Sequence, residues 1–176
     1  MRISVMAAVI LVNYILQTSV WPGIAILGVI PETALVLIVS YGILRGEIEG
    51  AIFGFSAGFL QDIFSGGPLG MFALIGFIIG YASGKPFRDF FKDNYFLPFF
   101  IVLAAVLAQQ FVIYVSSFMF LGYLNLSLFA RTIILPTTIY TIALSIPLYS
   151  LLHFINSRVE RWESDRRNLF EKDMDV

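Results

Sequence analysis

Between Gly46 and Gly84 the chain carries ten of its 14 glycines, and most of them keep a four-residue beat. Gly46, Gly50, Gly54 and Gly58 form one run, and Gly76, Gly80 and Gly84 repeat its spacing. At 3.6 residues per turn, such a repeat lays the glycines along one slowly drifting stripe of a helix. In water each glycine would weaken that helix by ~1 kcal/mol relative to alanine. In a membrane the same stripe lets two helix backbones approach closely. The stretch therefore calls for two closely packed membrane helices, with Gly50, Gly54, Gly58, Gly70, Gly76 and Gly80 as packing positions. Between them, Gln61 to Gly70 is polar and turn-rich, and Asp62 is its only acid.

The rest of the chain fits that environment. It is 59% hydrophobic and 13% charged, where soluble domains hold ~25% charged residues. Several apolar runs approach or exceed the ~20 residues that cross a hydrocarbon core as a helix. An all-α integral membrane protein follows, with a six-helix domain over 1–156 and a charged tail over 157–176. The absence of cysteine excludes disulfides, thiol catalysis and cysteine metal sites. No stretch outside the spans is long enough for a separate catalytic domain.

Taken in order, Ile3 to Val20 reads as helix 1 rather than a signal peptide, because Asn13 and Gln17 interrupt the run and further spans follow. Those two amides share a face and are expected to hydrogen-bond another helix. Trp21-Pro22-Gly23 marks an interface. Helix 2 is expected from Pro31 to Leu44, since proline suits a first turn and Glu32 there meets the positive end of the dipole. Ile24 to Ile30 is then an apolar lead-in, with a proline-kinked helix from Ile24 as the competing reading. Arg45 to Glu49 reads as a polar turn. Helix 3 from Gly50 to Leu60 and helix 4 from Leu69 to Gly84 are both short for a ~30 Å core. The tip from Gln61 to Pro68 is therefore expected as non-helical backbone below the outer surface, tolerated only if buried or lining a wet cavity. Lys85 to Asp93 is a charged loop, Tyr95 to Leu121 helix 5, and Leu128 to Phe154 helix 6. In helix 6, Pro136 and Pro147 should bend the rod, and Thr137, Thr138, Thr141 and Ser145 can satisfy the freed carbonyls.

Six helices with the N-terminus inside put Arg2, Arg45, Lys85, Arg88, Lys92 and the tail's Arg158, Arg161, Arg166, Arg167 and Lys172 in the cytoplasm. Only Arg131 falls outside, so the basic residues favour both termini in the cytoplasm. The Asp62 tip and Arg131 then share the outer side.

No nucleophile motif, phosphate loop or metal-ligand cluster is present, and no cofactor is called for. His153 sits at the inner end of helix 6, where an interfacial role suffices. The basic segments read as the orientation signal rather than as a nucleic-acid surface. Asp62 carries the most information, because a carboxylate at a membrane helix centre costs ~2.5–3.5 kcal/mol. It either caps the turn, accepting from Ser65 and the Gly66-Gly67 amides, or belongs to a pocket or partner site with Glu32, Gln61, Ser65 and Arg131. Ser56 and Gly76 are expected on an exposed small-residue face that a partner helix can approach.

The order of these features resembles a known family. Pro31-Glu32 opening helix 2, Tyr41-Gly42-Ile43-Leu44-Arg45-Gly46 closing it, Gly54-Phe55-x-x-Gly58-Phe59-x-x-Asp62, then Ser65-Gly66-x-Pro68-Leu69-Gly70 and Gly80-Tyr81 are similar to the bacterial rod shape-determining protein MreD family. Glu32 stands where that family usually has Asp or Asn. The resemblance implies a non-enzymatic membrane scaffold of the elongation machinery, serving cell shape and lateral peptidoglycan synthesis in the bacterial inner membrane. It implies direct binding to MreC, a single-span protein with an extracellular domain. Through MreC it implies indirect association with MreB, RodA and penicillin-binding protein 2. The family also looks similar to the six-helix substrate-binding subunits (S-components) of ECF-type vitamin importers. The alternative function is therefore a small-solute binding subunit.

Overall fold

The computed structural model describes residues 2–25, 28–65, 69–85, 96–121 and 125–174, with side chains for 4–25, 28–64, 69–85, 98–116, 118 and 125–158. All the regular structure described is helical. α1 (Arg2–Ile15) runs on through a π turn (Leu16–Val20) and a 3₁₀ turn (Trp21–Ile24). α2 (Thr33–Arg45), α3 (Glu47–Ser65), α4 (Met71–Gly84) and α5 (Phe96–Leu121) follow. The last rod comprises α6 (Leu126–Phe129), a π turn (Ala130–Ile134) and α7 (Leu135–Met174), so six helical rods are described.

Three of them, Ser4–Ile24, Pro98–Ser116 and Leu126–Arg158, are long and apolar enough to cross a membrane, and Thr33–Arg45 and Met71–Gly84 are shorter apolar helices. Several boundaries differ from the sequence reading. α3 begins at Glu47, because Gly46 alone makes the break with φ 99°. It also continues through Gln61 to Ser65, so this part of the expected irregular tip is helix and α3 is not short. The Gly66 to Pro68 part of the tip, the Pro86 to Asp93 part of the charged loop and the tail's side chains beyond Arg158 lie outside the described residues. α2 starts at Thr33, two residues later than expected. Trp21–Ile24 forms a separate 3₁₀ turn and Gly28 holds φ 78°, so no continuous helix runs from Ile24.

α2 is the hub. It is apolar nearly all round, and eleven of its 13 residues are buried, the pattern of a core helix. One side of it packs Leu35, Val36, Val39 and Ile43 on Val102, Ala105 and Val106 of α5. The other side packs Leu37, Ile38 and Tyr41 with Ile10, Phe53 and Leu152, from α1, α3 and α7. The Tyr41 and Phe53 rings stack there at 4.5 Å. Its serine is silent in this packing, since the Ser40 hydroxyl donates back to the Val36 carbonyl at 2.6 Å.

Among the described residues the α3–α4 hairpin is the tightest contact, and glycine makes it possible. A Cβ on Gly54 would run into the Gly76 carbonyl, and one on Gly76 into the Gly54 carbonyl. The same antiparallel register sets Gly50 against Gly80 one step below and Gly58 against Phe72 and Ala73 one step above. Because both stripes repeat every four residues, every step finds backbone opposite backbone. Gly42 of α2 joins the lower end, where a Cβ on Gly50 would lie 2.6 Å from its Cα. Two glycines depart from the sequence reading. Gly70 faces open space and is held at φ 92°, so it is a turn residue rather than a packing one. Gly76 is buried in the hairpin, so it cannot belong to an exposed partner face. Ser56 is half-buried, its hydroxyl donating to the Ile52 carbonyl at 2.8 Å.

Candidate functional site

The first turn of α4 lacks a cap of its own, because its N-cap position is Gly70. The amides of its first turn need acceptors. Asp62, near the end of α3, supplies them from across the hairpin. Its Oδ1 accepts from Phe72 N at 3.0 Å and its Oδ2 from Ala73 N at 2.9 Å. The carboxylate is only 2% exposed, so it needs these charge-assisted bonds and the positive end of the α4 dipole. Asp62 is thus the remote N-cap of α4. Its partners are Phe72 and Ala73, where the sequence reading named Ser65 and the Gly66-Gly67 amides. The Ser65 side chain lies outside the described residues.

Glu32 occupies a different place. It is the N-cap residue of α2, yet its side chain makes no capping bond. Its amide instead donates to Thr141 Oγ1 of α7 at 3.0 Å. Gln17, in the π turn of α1, clamps the residues on either side. Its Nε2 donates to the Pro31 carbonyl at 3.3 Å and its Oε1 accepts from Thr33 Oγ1 at 2.5 Å. The Gln109 side chain of α5 lies within reach of the Glu32 carboxyl group. Glu32 Oε2, Gln109 Nε2 and Thr138 Oγ1 are all buried without a hydrogen bond among the described residues. A polar node therefore joins α1, α2, α5 and α7 inside an otherwise apolar bundle. The sequence showed mid-span amides at 109–110 and hydroxyls at 137–141, but it gave no reason to link either to Glu32.

Gln61 precedes Asp62 by one helix position and points elsewhere, since neighbouring residues are ~100° apart around the axis. It lines a cleft of about 230 Å³ between α1, α2 and α3. Asn13 and Gln17 face the same cleft from α1, and Ala34 and Ala57 form its small-residue floor. The Tyr14 and Phe64 rings meet at 5.0 Å at its side. Arg131 lies apart, exposed on the π turn before α7. Asp62 has both oxygens engaged by α4, and no ion pair joins it to Arg131 among the described residues. The five residues grouped on sequence thus occupy separate settings: a helix cap, a polar node, a cleft wall and an exposed π turn, with the Ser65 side chain undescribed.

A second opening is almost purely apolar. It measures about 530 Å³ and runs between α1 and α7 with Leu37 of α2 behind it. Ser4 and Ala8 supply small side chains on the α1 side, and Leu148 and Leu151 bulk on the α7 side. α1 borders both openings, and only 6% of its span is buried within the protein. Among the described residues no group of three or more acids or histidines is placed to hold a metal ion. A family model described as rod shape-determining protein MreD matches residues 1–156. No curated protein and no solved structure matches the chain.

Proposed function

Because this chain belongs to the MreD family of rod shape-determining proteins, we propose that it acts as a membrane scaffold of bacterial cell elongation that binds MreC directly. MreB, RodA and penicillin-binding protein 2 are then reached through MreC. The family match over residues 1–156 carries the proposal. The α1–α7 groove supports it, because a single partner helix can approach the small Ser4 and Ala8 side chains closely while α1 has little packing of its own. Association there would rest on contact shape, since lipid tails are as apolar as the groove. The orientation proposed is both termini in the cytoplasm of an inner membrane, on the ten-to-one basic asymmetry of the sequence.

Two measurements test these points. Reporter fusions after Gly84 and at the C-terminus should report cytoplasm, and fusions near Asn125 the outside; an external C-terminus would sink the orientation. In the second, Ala8→Phe should cut MreC co-purification at least fivefold while the protein still accumulates. The phenylalanine fills the groove without entering the core, since Ala8 is exposed. Undiminished co-purification with Ala8→Phe would remove the groove from the proposal.

A small-solute binding subunit is the alternative, and the Asn13–Gln61 cleft is the observation in its favour. Depletion in a rod-shaped host separates the two. Rounded cells with normal solute uptake support the scaffold, whereas normal rods with loss of uptake of one solute support the importer.

A further inference from the structure

The cleft between α1, α2 and α3 has a composition that selects its occupant. We infer that it binds a small uncharged amphiphile, or the uncharged head of a larger one, whose hydroxyl or amide group meets the Asn13 carboxamide.

Four observations carry this. First, among the described residues the cleft holds no charged side chain, so an ionic head would enter without a counter-ion in a medium that penalises bare charge. Second, Asn13 lies near the middle of the Ser4–Ile24 span and is half-buried. Its side chain finds no hydrogen-bond partner among the described residues. Gln17, one turn on, has both ends of its amide occupied by Pro31 and Thr33. The free carboxamide therefore belongs to Asn13, and a carboxamide offers a donor and an acceptor together. Third, the remaining surface is mainly apolar, with Ala34 and Ala57 leaving the space that larger side chains would fill. Fourth, the volume is about 230 Å³, room for roughly eight water-sized groups at ~30 Å³ each. That suits a glycerol-sized head with its first chain carbons, not a whole lipid.

Access follows from the same geometry. One wall is α1, the helix with only 6% of its span buried. Phe64 beside the cleft is 62% exposed. A chain attached to the bound head can leave past Phe64 into surrounding lipid.

The test uses full-length protein in phosphatidylcholine vesicles and two photoreactive probes with the same acyl chain. One is a monoacylglycerol, with an uncharged head; the other is the matching free fatty acid. Crosslinked peptides are mapped by mass spectrometry. The neutral probe should label the α1 and α3 peptides around Asn13 and Gln61 at least fivefold more than the charged one. Ala57→Phe, which fills the floor, and Asn13→Leu, which removes the anchor at similar volume, should each lower that labelling at least fivefold. Labelling near Leu128, which is exposed on another helix, should stay unchanged as a measure of surrounding lipid. If Ala57→Phe fails to fold, Asn13→Leu alone decides. Equal labelling by both probes, or labelling indifferent to Asn13→Leu, would mean surrounding lipid only and overturn the inference. The result is independent of MreC, so failure of the scaffold proposal would leave it standing.

Discussion

Leucine at Gly54 or at Gly76 should leave almost no folded protein in the membrane. Each position faces the carbonyl of the other across the α3–α4 contact, and a carbonyl in a helix cannot turn aside. Even a single Cβ forces the two backbones apart, and the separation propagates because Gly50–Gly80 and Gly58–Ala73 share the register. Overpacking a well-filled interior costs typically ~1–3 kcal/mol for a few added methylenes. Here the added atoms meet backbone, so the loss should exceed that range and remove the hairpin altogether. A graded series makes the prediction specific. Gly23→Ala should be silent, because a Cβ there meets nothing within 4 Å. Gly70→Ala also meets nothing, but its φ of 92° should add ~1–2 kcal/mol of strain. Gly54→Ala should be worse than both. The readout is the yield of monodisperse protein after mild detergent extraction. Wild-type yield of Gly54→Leu would refute the close-packed hairpin.

Asp62→Asn should also destabilise the protein, although a cap is often thought indifferent to that change. An asparagine keeps one acceptor oxygen and replaces the other with a donor. In this hairpin both carboxylate oxygens are in use, Oδ1 by Phe72 N and Oδ2 by Ala73 N. The amide nitrogen of asparagine would therefore face a backbone N–H, and one buried donor would lose its partner. Such a loss costs ~1–3 kcal/mol. The favourable charge at the α4 N-terminus goes with it, worth ~0.3–1 kcal/mol and up to ~2 when partly buried. Asp62→Ala should cost more, because both amides are then orphaned. Thermal unfolding in detergent should place the variants in the order wild type, Asn, Ala. Arg131→Ala should leave stability unchanged, since Arg131 is exposed and makes no ion pair with Asp62. An Asp62→Asn protein as stable as wild type would show that one oxygen suffices.

What the sequence determined was whatever depends on neighbours along the chain. Apolar length and low charge required membrane helices, and the four-residue glycine beat required a backbone-close contact on one face of α3 and one face of α4. The motif from Pro31 to Tyr81 was enough to recognise the family. Periodicity states which residues share a face, however, and not what that face meets. Asp62 could be read as buried and as a cap, but its acceptors are used by Phe72 and Ala73, ten and eleven residues away across a turn. Gly76 could be read both as a packing position and as part of an exposed small-residue face, and only the packing against α3 decided for the first. Gly42 continues the same beat, yet belongs to α2, because a single positive φ at Gly46 divides the run. The polar node was least legible of all. Glu32 and Thr141 are separated by 109 residues, and Gln109 comes from a third helix. Contacts at that range are fixed by how the rods pack around α2, a property of the whole bundle that no local window of residues contains.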